Sequence, residues 1–168
     1  MALKWSFGIA FALSMPAAAL AQDYPARQVT MVVPFAAGGP VDNGGRVFAD
    51  AMRRALGSAV LVDNRPGAGG NIGAAEAVRA APDGYTMVMT TSGIQAINPL
   101  MYKKMGFDPI KELVPVAALV SLSNVLVVHP SVKASSVADV LALVRANPDG
   151  MTYASSGAGT SIHMSAEM

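Results

Sequence analysis

The chain has 168 residues, 52% of them hydrophobic and 14% charged, which is ample core material for one or two domains and not the profile of a disordered chain. The formal net charge is +1, and the basic pairs Arg53-Arg54 and Lys103-Lys104 stand isolated, so nothing indicates a nucleic-acid surface or a polybasic membrane patch. Cysteine is absent, which excludes disulfides, thiolate catalysis and cysteine metal sites.

Residues 1–21 have the layout of a cleavable signal peptide. Lys4 supplies the positive start, Trp5 to Leu13 a short apolar run, and Ala19-Leu20-Ala21 a small-x-small cleavage site that leaves Gln22 as the mature start. The run is well short of the ~20 residues that cross a bilayer. Loss of Lys4 takes the basic residues from 12 to 11 against 11 acidic ones, a net charge of zero for the mature chain.

The mature sequence alternates β-rich and helical runs. QVTMVVP (28–34) reads as a buried strand and is followed by the loop FAAGGP (35–40). Asp42 to Leu56 reads as a helix that Gly57 stops, although Gly44 and Gly45 weaken its first turn. AVLVD (59–63) is a second strand, leading through NRPGAGG (64–70) to a helix that Asn71 can cap and that runs through Ala80. Pro82-Asp83-Gly84 is a turn before a third strand, Thr86 to Thr90, and a short helix is expected near Ile94 to Met101.

Further strands are expected at Val114 to Val120, Asn124 to Val128 and Met151 to Ser155. Between them Ser136 and Asp139 form a capping-box pattern before a helix with Val137, Val140, Leu141 and Val144 on one face. A last helix begins near Ser161, with Met168 about two turns into it. The rhythm predicts an α/β fold with a mainly parallel sheet. The absence of a helix stop or closing element gives the expectation of a chain cut short rather than finished.

In such sheets ligands bind beyond the carboxyl ends of the strands, where helix N-termini present unpaired N–H groups that favour anions. Loops 35–40, 91–93 and 155–161 consist mostly of small residues and form a reasonable anion-binding set; on the residues alone they serve equally as ordinary connections. Nucleotide fingerprints fail, since the third glycine of G-x-G-x-x-G would fall at Ile162 or Ile72. Gly159-Thr160-Ser161-Ile162-His163 approaches the hydrolase pattern G-x-S-x-G, but His163 replaces the last glycine. The simpler reading has Ser161 capping a helix and His163 on its first turn. His129 and His163 lack carboxylates at ligand spacing, and the methionines are scattered. No metal, cofactor or catalytic residue is expected.

Tyr24-Pro25, VTMVVPFAAGGPVD (29–42), NRPGAGGNIGA (64–74), APDGYTMVMTTSG (81–93), INPLMY (97–102) and YASSGAGTSIHM (153–164) together resemble the substrate-binding proteins of tripartite tricarboxylate transporters, the Bug family. The resemblance spans the mature chain in the expected order. It implies a two-lobed periplasmic-binding-protein-like fold of type II, closing on a small carboxylate and delivering it to two membrane subunits. It implies lobe 1 over 22–121 and the start of lobe 2 over 122–168, both truncated. It also implies a ligand held largely by backbone amides and small hydroxyls: Phe35, Ala36, Ala37, Gly38 and Gly39 on one side, Ser155, Ser156, Gly157, Gly159, Thr160 and Ser161 on the other, with Thr91 and Ser92 between. Pro40 departs from a frequent glycine and removes one N–H, and Ala158 departs from a common asparagine. The rival readings are a ligand-presenting sensor of the same fold, a serine hydrolase on the same loops, and a truncated remnant without function.

Overall fold

The structure is a computed structural model that describes residues 23–168; the expected signal peptide, 1–21, lies outside them. Its centre is β1 (Val29–Val33), paired in parallel with β2 (Val60–Asn64) on one side and β3 (Thr86–Val88) on the other, so the strand order is β2-β1-β3. Val33 stands opposite Asn64 and Val32 opposite Val88. The ladder reaches one residue further on each side, where Arg65 N–H donates to Val33 O at 2.8 Å and Met89 N–H to Val32 O at 2.9 Å. Val29, Met31, Val32 and Val33 are all buried, which is why this strand, Thr30 apart, is apolar on both faces instead of alternating.

Helices cover both faces. α1 (Pro40–Leu56) starts with proline in its first turn, where the missing N–H costs nothing. It stops at Gly57, whose left-handed backbone (φ 64°) lets its N–H donate to Arg53 O at 3.1 Å. Its Ala49, Phe48 and Met52 pack with Met31, Val33 and Met89. α2 (Asn71–Arg79) places Ala74 and Ala75 against Ile94 and Phe107, with half-buried Val78 and Val88 beside them. Successive strand side chains point to opposite faces, so Val88 in one cluster and Met89 in the other put the two helices on opposite sides of the sheet.

Close approach explains two of the glycines. Gly45, which weakens α1 by propensity, lets it sit on the sheet: a Cβ there would stand 3.1 Å from Val33 Cγ2. On the other face a Cβ at Gly73 would stand 2.7 Å from Arg65 O and 2.9 Å from Pro34 Cα.

Several expected elements differ. α2 opens at Asn71, with Gly70 before it; Asn71 does not cap the helix because its side chain turns inward to Asn98. β3 ends at Val88, and the region after it is a single π-helical turn (Gly93–Ile97) running into the short α3 (Asn98–Met101). The strands expected at 114–120, 124–128 and 151–155 are not formed. Residues 113–129 hold no helix, strand, turn or bend, and Val114, Val116, Val125 and Val127 are exposed. β-Branched composition suits a pleated surface, yet a strand exists only with a hydrogen-bonded neighbour, and among the described residues these runs have none.

α4 (Val137–Ala146) follows the expected capping box. Asp139 N–H donates to Ser136 Oγ at 3.2 Å and Ser136 N–H to Asp139 Oδ2 at 2.9 Å. Its apolar face, with Val137 and Leu141, remains exposed. α5 (Ser161–Glu167) is capped by Thr160, not Ser161: the Thr160 hydroxyl accepts from His163 N–H at 3.3 Å.

Gly73→Ala is expected to destabilise the fold by about 1–3 kcal/mol, because the new methyl overlaps backbone that cannot move aside. Urea denaturation followed by circular dichroism checks this; an unchanged midpoint would show that the α2–β1 contact is looser than described.

Candidate functional site

Loops 35–39, 65–70 and 89–93 leave the carboxyl ends of β1, β2 and β3 at one edge of the sheet, the edge where open parallel sheets bind ligands. The first loop is organised by Asp42 in the first turn of α1. Asp42 is 1% exposed. Its Oδ2 accepts from Gly38 N–H at 2.8 Å and Arg46 Nε at 2.9 Å, and its Oδ1 accepts from Asn64 Nδ2 at 2.9 Å. Asn64 Nδ2 also donates to Phe35 O at 3.1 Å, and Arg46 Nη2 closes the ring on Asn64 Oδ1 at 3.0 Å. The loop is thereby tied to the end of β2 and the start of α1 together. The Arg46 hydrogen bond, then those from Gly38 and Asn64, outweigh burial and hold the Asp42 carboxyl down at about 2.

This network changes which amides a ligand can use. The Gly38 N–H is committed to Asp42, and the Gly39 N–H donates to Ala36 O at 3.4 Å. The N–H groups of Phe35, Ala36 and Ala37 find no acceptor among the described residues, and Ala36 and Ala37 are exposed. The Asp42 carboxylate also occupies the place where the dipole of α1 most favours an anion.

Among the other expected residues, the Thr91 hydroxyl accepts from Ile94 N–H at 3.4 Å, while the exposed Ser92 hydroxyl bonds to nothing among the described residues. In the last loop Gly157 N–H donates to Ser155 Oγ at 3.3 Å. The buried Thr160 donates its hydroxyl to Gly157 O at 2.8 Å, and Ser161 donates to Asn124 Oδ1 at 3.3 Å. Ser156 is exposed. Gly93 meets the Gly159 carbonyl so closely that a Cβ would stand 2.7 Å from it. The structure therefore brings 91–93 and 157–160 together. It makes no hydrogen bond between 35–39 and 155–161 among the described residues.

Two side chains missed by the sequence reading complete the cluster. The Tyr102 hydroxyl donates to Ala158 O at 2.9 Å. Asn98, fully buried, donates from Nδ2 to Gly69 O at 3.2 Å and to Asn71 Oδ1 at 2.7 Å. The available signal was a polar Asn98 within the run INPLMY, together with the glycine density of 67–70. Ser161 and the two histidine rings make no hydrogen bond to one another among the described residues. Ser161 faces Asn124, the His129 ring bonds the Ser131 hydroxyl at 2.8 Å, and His163 lies 3.9 Å from Glu167.

The family described as Tripartite tricarboxylate transporter family receptor matches residues 45–168. Protein BugT of Bordetella pertussis is 34% identical over 163 residues, which is 96% of this chain and 50% of BugT. Among solved structures, an R. palustris protein with adipate superposes with a TM-score of 0.83 at 39% identity, covering 86% of this chain and 48% of that one. The periplasmic binding protein BugD gives 0.72 at 36% identity, covering 84% and 47%. MatC from Rhodopseudomonas palustris with bound malate gives 0.81 at 30% identity, covering 86% and 49%. The chain spans about half the length of the curated relatives it matches.

Asp42 generates a pH prediction. Its folded-state pKa of about 2 lies below the ordinary 3.8, so its contribution to stability is fully present above that ordinary value and is lost as pH falls through the folded one. Denaturation midpoints taken stepwise from pH 7 to pH 2 are expected to fall more steeply in the native chain than in Asp42→Asn, which starts less stable at pH 7. Identical slopes would show that Asp42 is not held as described.

Proposed function

Because the chain belongs to the tripartite tricarboxylate transporter receptor family, we propose that it captures a small carboxylate outside the cytoplasmic membrane and carries out no chemistry on it. The carrying observation is the match, at TM-scores of 0.83 and 0.81, to two proteins solved with dicarboxylates, adipate and malate. In this reading the periplasm is the place of action, after cleavage behind Ala21, and two membrane subunits of a tripartite transporter receive the ligand. Residues 22–121 are one lobe and 122–168 belong to the second.

The chemistry of the first loop supports the carboxylate class. Unpaired amides at Phe35, Ala36 and Ala37 suit an oxyanion, which accepts short charge-assisted hydrogen bonds from N–H donors. Gly38 and Gly39 then act as the turn that shapes the loop, with their own N–H groups already engaged. From the second segment, the exposed hydroxyl of Ser156 is free of any partner among the described residues and can reach a ligand, beside Ser92. Ser155, Gly157, Gly159, Thr160 and Ser161 give that loop its shape. Recognition by free backbone amides selects a carboxylate head while leaving the tail to other walls of the site, and the ion pair of Asp42 with Arg46 offsets the charge at the start of α1.

Calorimetry on the full-length protein tests this. Adipate or malate is expected to bind while the neutral dimethyl esters do not. Ala37→Pro, which deletes one free N–H, is expected to weaken binding about tenfold, the effect of losing one hydrogen bond to a charged group. Equal binding of acids and esters would sink the carboxylate reading.

A further inference from the structure

We propose that Tyr102 and Asn98 are positioning residues that latch the 155–160 loop onto the sheet-bearing part of the molecule. The loop lies more than 50 residues further along the chain than either. Its docking is made by backbone, and three glycines mark the places where backbone meets backbone or a buried amide. A Cβ at Gly69 would collide with Ala158 O, one at Gly93 would stand 2.7 Å from Gly159 O, and one at Gly159 would collide with Asn98 Oδ1. No side chain fits at any of the three points without pushing the loop away.

Two side chains hold what the glycines allow. Tyr102 donates its hydroxyl to Ala158 O at 2.9 Å, taking up a carbonyl at the tip of the loop. Asn98 is fully buried and uses both hydrogens of Nδ2, on Gly69 O and on Asn71 Oδ1. Its Oδ1 accepts from no hydrogen-bond donor. The α-hydrogen of Gly159 occupies the direction a methyl would take, so it faces this oxygen as a weak C–H···O contact. One amide side chain thus touches both glycine loops, 67–70 through its nitrogen and 157–160 through its oxygen. The consequence for the site is position: the latch sets where Ser156 stands relative to Thr91 and Ser92. The inference rests on the preceding reading only in taking 155–161 as part of a ligand site.

Amide hydrogen exchange on the nitrogen-15-labelled full chain, read by NMR without ligand, tests the latch. Tyr102→Phe keeps the ring and deletes one donor. Gly93→Ala, at a position whose backbone is not left-handed, inserts one methyl between the two parts. Exchange at Gly157 and Thr160, whose N–H groups are hydrogen-bonded within the loop, is expected to rise about two- to tenfold in Tyr102→Phe, as for the loss of one hydrogen bond, and further in Gly93→Ala. Exchange across β1 is expected to stay unchanged. No rise at these two amides, or a rise shared equally with β1, overturns the proposal. If Gly93→Ala does not fold, Tyr102→Phe alone decides. A protein that binds no carboxylate would still show or lack this regional contrast, so the latch and the ligand reading can fail separately.

Discussion

A carboxylate almost without contact with water is expensive unless each of its oxygens is met by donors, and Asp42 is such a group. Its partners come from three different pieces of the chain: the loop after β1, Arg46 one turn further along α1, and Asn64 at the end of β2. No one of these can shift without leaving the charge unsatisfied. The requirement therefore does more than hold α1 in place. It fixes the path of the loop between Phe35 and Gly38, and with it which amides are turned inward and which stay free.

The parts of the fold that follow from local pattern were legible in the sequence. The buried β1, the stop at Gly57 and the Ser136–Asp139 box each rest on a few adjacent residues, and each stands where its residues placed it. What was not legible depends on partners far away in the chain. The run from Val114 to Val128 has the composition of two strands, but composition gives only a preference for the pleated surface, while the ladder depends on a neighbour. Gly45 shows the same limit from the opposite side: propensity marks it as a weakness in α1, whereas packing against Val33 makes its missing side chain a condition of the fold.

The candidate site divides in the same way. The loops after β1 and β3 could be placed at the sheet edge because small residues follow strands and precede helices. Their internal bonding could not, because Gly38 is taken by a residue whose burial is invisible in a linear reading, and Ser161 is taken by Asn124 from 37 residues away. Asn98 and Tyr102 escaped notice altogether. Within the run INPLMY they look like the polar face of a short helix, and their partners lie far off in the chain, Gly69 and Asn71 for Asn98 and Ala158 for Tyr102.

Between Leu113 and Val132 the sequence contains no Asp, Glu, Lys or Arg, and this is the stretch that carries so many exposed valines and leucines. Uncharged, β-branched, proline-free windows are the segments that stack into cross-β aggregates when left unpaired. Here Pro115 and Pro130 stand at the two ends of the longest such window, in the place where gatekeeper residues limit the growth of a misassembled sheet. Asn124 to Val128 nevertheless offers five consecutive residues with no charge to repel a copy of themselves. The composition that makes this segment a good strand also makes it the part of the molecule most ready to pair with a strand that is not its own.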